Sequence, residues 1–105
     1  MTTAWFALVL AGLLEVLWAF AMKRSDGFTR PVASALTLFA MIVSFALLSL
    51  AMRSLPLGTA YTVWTGIGAV GAFLVGVAVL GEPVTPLRVT GAALIVGGLV
   101  ALKLA

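Results

Sequence analysis

The chain has 105 residues, 64% of them hydrophobic and only 9% charged, with a formal net charge of +3. Soluble domains carry about 25% charged residues, so the composition argues against a water-soluble fold. There is neither cysteine nor histidine, which removes disulfides, thiolate chemistry, the usual Cys/His metal sites and an imidazole proton relay.

The first apolar run reads as a membrane helix over approximately residues 3–22, since a hydrocarbon core of ~30 Å needs ~20 mainly apolar residues. Glu15 is the only charge in it. The triplet Ala19-Phe20-Ala21 imitates a signal-peptide cleavage site, but no Lys or Arg precedes the run and Glu15 interrupts it, so a retained span is expected. Lys23-Arg24-Ser25-Asp26-Gly27 ends it, with Gly27 available as a helix stop. Pro31 suits the first turn of a second helix, predicted over 32–52 without a charge, and Arg53-Ser54-Leu55-Pro56-Leu57-Gly58 is the next turn signal. A third span is predicted over 58–80. Its Gly66, Gly68, Gly71 and Gly76 suit membrane helices that pack closely or bend. Gly81-Glu82-Pro83-Val84-Thr85-Pro86 closes it.

The last span holds the fewest uncharged residues, Val89 to Leu102 between Arg88 and Lys103. Starting at Pro86 and letting the basic chains snorkel outward, a helix over 86–103 reaches ~26 Å at ~1.5 Å per residue. The expected fold is therefore all-α: a single four-helix transmembrane domain over residues 1–105.

Four crossings place Lys23, Arg24, Arg30 and Arg88 on one side and Arg53 and Lys103 on the other. The plain reading of this small bias puts both termini outside the cytoplasm; the sharper one is insertion in both orientations. The basic excess is interfacial and suits contact with anionic lipid headgroups, with no nucleic acid implied. Many carriers work through two inverted halves about a midplane site, whereas one set of four helices supplies only one half. Two copies in opposite orientations would supply both; a pore-forming or structural membrane subunit is the reading from another class.

An ionised, unpaired carboxylate inside a membrane costs several kcal/mol, and such groups usually mark an ion or substrate path. Apart from Arg88 and Lys103 near the ends of the last span, no Lys or Arg lies within the spans to neutralise Glu15. By helical spacing Glu15 shares its face with Ala11, Gly12, Trp18 and Ala19, and on the third span Tyr61, Trp64, Thr65 and Gly68 share another. Small residues leave room beside the acid, Trp18 adds a ring and one N–H, and Ser44 on the second span is a further donor. Each also has a plain structural reading: aromatics as packing or an interfacial belt, serine bonded to its own helix, glycines as helix contacts. The embedded polar set holds no nucleophile–base pair and no metal cluster, so the residues do not point to an enzyme.

Gly12-Leu13-Leu14-Glu15-Val16-Leu17-Trp18-Ala19, with Lys23, Ser25 and Gly27-Phe28-Thr29, resembles the first helix and loop of the small multidrug resistance family. The run Leu55 to Ala69 resembles its third helix, Gly81-Glu82-Pro83 its last loop, and Gly91, Leu94, Ile95 and Gly98 the dimer-forming pattern of its fourth helix. Trp18, three residues after the acid, and Gly66-Ile67-Gly68-Ala69 resemble the branch that exports guanidinium.

The resemblance implies an antiparallel, dual-topology homodimer in the bacterial inner membrane. It would exchange protons for guanidinium and small substituted guanidinium compounds by alternating access, without a cofactor. It carries proton and substrate binding onto Glu15, carboxylate-orienting and pocket-lining roles onto Gly12, Trp18, Ser44, Tyr61 and Trp64, and helix bending or packing onto Gly66 and Gly68. The alternative within the family is a multidrug exporter of quaternary ammonium and other lipophilic cations; that branch typically has a small residue where Trp18 stands.

Overall fold

The computed structural model describes residues 2–105 and consists of four helices: α1 (Thr2–Arg24), α2 (Pro31–Ala51), α3 (Leu57–Ala78) and α4 (Pro86–Leu104). All four are long and apolar enough to cross a membrane. A helix satisfies its own backbone hydrogen bonds, which is why apolar runs of this length become helices in lipid.

The ends follow local chemistry. α1 continues past Met22 through Lys23 and Arg24, where cations favour the negative end of the helix dipole. It stops at Ser25, two residues before the expected glycine. The buried Ser25 hydroxyl donates to the Met22 carbonyl at 2.6 Å and accepts from the Phe28 N–H at 3.0 Å. Its carbonyl accepts from the N–H groups of Thr29 and Arg30. Asp26, Gly27 and Phe28 then turn the chain at φ of 51°, 72° and 65°, a conformation only glycine adopts without cost. Pro31 begins α2, where its missing N–H is harmless. α3 ends at Ala78, although the N–H groups of Val79 and Leu80 still reach the Val75 and Gly76 carbonyls. Gly81 at φ 69° breaks the run, and Thr85 caps α4 by accepting from the Arg88 N–H.

α1 is the central element, packed against α2 on one side and α3 on the other, while α4 packs mainly on α3. Ala4, Ala7, Leu8 and Ala11 of α1 meet Leu48 and Ala51 of α2, Leu55, and Ala60, Val63 and Trp64 of α3. Small residues at these crossings let the backbones approach, and dispersion contacts then hold helices that lipid would otherwise solvate equally well. The Cα envelope measures 40 × 34 × 16 Å. Helix Cα atoms lie on a cylinder about 4.6 Å across and packed axes stand about 8–10 Å apart, so the thinnest direction holds about two helices. No residue of α4 is buried.

The termini and the α2–α3 turn share one end: the Lys103 ammonium lies 4.7 Å from the Trp5 ring centre, and Thr3 and Ala4 line a cleft with Arg53 and Ser54. Lys23 and Glu82 line a common cleft at the opposite end.

Candidate substrate site around Glu15

Glu15 lies mid-way along α1 and points toward α3, where Gly68 makes room for it. A Cβ added at Gly68 would run into the Glu15 carboxyl carbon and Oε1. On α1, one turn before the acid, Gly12 does not open space beside it. The Ile67 side chain fills that place, and a Cβ at Gly12 would come within 2.8 Å of Ile67 Cβ. On α3, one turn after Gly68, Gly71 receives Val16. Three glycines thus seat three neighbours, and Gly68 alone of them seats a charged group.

Glu15 Oε1 and Trp18 Nε1 are both buried and have no hydrogen-bond partner among the described residues. Buried polar atoms in folded proteins are nearly always paired, so an orphaned acceptor and an orphaned donor one helical turn apart mark a place prepared for something else. The shapes of these groups define what they can do: a carboxylate can accept from N–H donors or take up a proton, and the indole can only donate.

Ser44 and Trp64 sit deeper, where they tie three helices together. The Ser44 hydroxyl donates to the Ala11 carbonyl of α1 at 2.7 Å and accepts from Trp64 Nε1 of α3 at 3.0 Å. The serine therefore bonds across to α1 rather than back onto its own helix. Its one proton is committed to the carbonyl lying one turn before Glu15, and both side chains are buried. Tyr61 is half exposed, with its ring centre 5.6 Å from that of Trp64. Tyr61 and Thr65 fall on the next row of α3 from Trp64 and Gly68. They line a groove of about 520 Å³ between α3 and α4 with Gly66, Leu99 and Gly98. Gly66 is buried there beneath Leu99. The structure thus seats Glu15 at Gly68 with Trp18 one helical turn further along α1, ties α1, α2 and α3 through Ser44 and Trp64, and turns Tyr61 and Thr65 toward α4.

Phe45 is a neighbour of both tryptophans that helical spacing alone does not single out. Its ring lies between the two tryptophans, 6.3 Å from Trp18 at an interplanar angle of 71° and 5.7 Å from Trp64. The one available signal is its position directly after Ser44. On α4, Gly91 and Gly98 have open space where a Cβ would stand, and Leu94 and Ile95 are exposed.

Comparison with known proteins accords with this geometry. The family described as Small Multidrug Resistance protein matches residues 3–95. A guanidinium exporter of Escherichia coli (strain K12) is 57% identical over 101 residues, covering 96% of this chain and 96% of its own. Guanidinium exporters of Citrobacter freundii and Salmonella typhimurium are each 56% identical over the same length and coverage.

Proposed function

Since the chain belongs to the Small Multidrug Resistance family, a multi-pass protein of the bacterial inner membrane, we propose that it exports guanidinium in exchange for protons, with Glu15 as their shared site. The observation that carries this reading is the carboxylate held inside a membrane span with a buried, unpartnered oxygen. The named activity of relatives at 56–57% identity supports guanidinium as the cation.

Guanidinium is flat, permanently charged near neutral pH and edged with paired N–H donors that match the two oxygens of a carboxylate. Trp18, which can only donate, leaves the cation's N–H groups to the acid and gives its own N–H to a remaining carboxylate lone pair. The ring of Trp18, one helical turn from the acid, offers a face to the cation. Ser44 and Trp64 hold α1, α2 and α3 at the spacing that presents Glu15. This differs from a direct hold on the carboxylate.

Protons and guanidinium compete for the same oxygens, so the transporter changes face with one or the other bound, and exchange follows. One set of four helices supplies only one half of a carrier built from two inverted halves. Two copies in opposite orientation, meeting partly through Gly91, Leu94, Ile95 and Gly98 of α4, would close a polar path around the two Glu15 side chains and expose it to each side in turn.

Transport in vesicles holding this chain alone tests the reading. An imposed proton gradient is expected to drive guanidinium against its own gradient, with saturable uptake. Competition has a definite sign: raising the pH removes protons from the shared oxygens and should lower the guanidinium concentration needed for half-maximal binding. Saturable flux that ignores both the proton gradient and pH would overturn proton exchange. Stronger transport of tetraalkylammonium than of guanidinium would instead favour the multidrug branch.

A further inference from the structure

Within the transport reading proposed above, we infer that Phe45 is a positioning residue that fixes the orientation of the Trp18 indole, one helical turn from Glu15, and so sets the affinity for a flat cation. Three observations carry this. Among the described residues, Phe45 is the one whose ring bridges the two tryptophans: edge-on to Trp18 at 6.3 Å and tilted against Trp64 at 5.7 Å. Trp64 is itself immobilised, since it is buried and its single N–H is spent on Ser44, which is anchored on α1 through the Ala11 carbonyl. Trp18, by contrast, has no hydrogen bond to hold its orientation among the described residues.

A ring without a polar anchor keeps its rotamer only by packing. On the α2 side that packing comes from Phe45, whose positive ring edge and negative face make the inclined arrangement favourable. The clasp of Ser44 and the buttress of Phe45 are adjacent residues of α2. The same short segment therefore sets the depth of Trp64 and the angle of Trp18. The half-exposed Phe45 ring has no polar atom to offer the acid or the N–H groups of the cation; it acts through the indole.

Phe45→Leu removes the ring while keeping an apolar side chain of similar bulk, and Phe45→Tyr restores the ring. In proteoliposomes Phe45→Leu is expected to raise the KM for guanidinium about tenfold, the scale that two aromatic contacts support. The maximal rate should stay within about twofold, and Phe45→Tyr should recover the wild-type KM. A direct readout uses 5-fluorotryptophan. The chain has three tryptophans, and the Trp18 resonance, assigned by its loss in Trp18→Phe, should move or broaden in Phe45→Leu while that of Trp5 stays in place. An unshifted Trp18 resonance, an unchanged KM, or a collapse of the maximal rate at constant KM would each overturn the assignment. If the wild-type chain carries no guanidinium at all, the functional reading fails by itself, and the fluorine spectrum still decides whether Phe45 holds Trp18.

Discussion

Replacing Glu15 by glutamine is expected to reduce proton-driven guanidinium transport to the level of empty vesicles. The amide keeps nearly the same shape, so the contact with Gly68 is not lost. It can neither ionise nor carry a proton across. A carbonyl oxygen still accepts hydrogen bonds, but the charge-assisted pair with a guanidinium is gone, and such pairs are roughly twice as strong as neutral ones. In the proposed exchange both halves rest on that one group, so both should vanish together. The measurement is accumulation of labelled guanidinium under an imposed pH difference, beside a binding titration on purified protein. Normal uptake by the variant would end the carboxylate scheme. Glutamine should not harm folding, because a neutral side chain is cheaper to hold in lipid than an ionised one.

The second large effect separates two glycines on facing helices. Gly12→Ala is expected to destabilise the chain by about 1–3 kcal/mol, the usual cost of overpacking. The new methyl would meet Ile67 Cβ at 2.8 Å, and a Cβ cannot swing aside without its backbone. Gly68→Ala meets a different neighbour, the carboxyl end of a flexible side chain. Glu15 can rotate away, so the fold should survive while the acid is displaced from its place beside α3. Thermal unfolding should therefore fall clearly for Gly12→Ala and much less for Gly68→Ala, with guanidinium affinity lost in the latter. Equal melting temperatures with unimpaired transport by Gly68→Ala would show that the seat at Gly68 does not matter.

The four helices are legible in the sequence because their causes are local: apolar runs of sufficient length, Pro31 and Pro86 at helix starts, and turn residues between. Glu15 is legible because an acid in an apolar run costs so much that packing alone rarely keeps one there. Helical spacing can place Gly12 and Gly68 near the acid but cannot say that Ile67 occupies one and the carboxylate the other. That depends on how two helices mesh. Ser44 can be named as a donor, yet its partner is the Ala11 carbonyl, thirty-three residues away in the chain, and no periodicity encodes such a pairing. Spacing groups Tyr61 and Thr65 with Trp64, whereas the structure turns them to α4, since a face spanning one turn is wide enough to meet two neighbours. The first loop differs for a similar reason: the expected span closes at residue 22 with Gly27 available as a stop, but α1 runs on to Arg24 and Ser25 supplies the hydrogen bonds that end it.

The placement of both chain ends at one surface, with Lys103 reaching over Trp5, governs how two copies can be joined genetically. A short hydrophilic linker from Ala105 to a second Met1 would force both halves of the tandem to enter the bilayer the same way up. If opposed copies are needed, that tandem should work only by pairing with another tandem, whereas one extra membrane-crossing segment in the linker would let a single polypeptide complete the exporter.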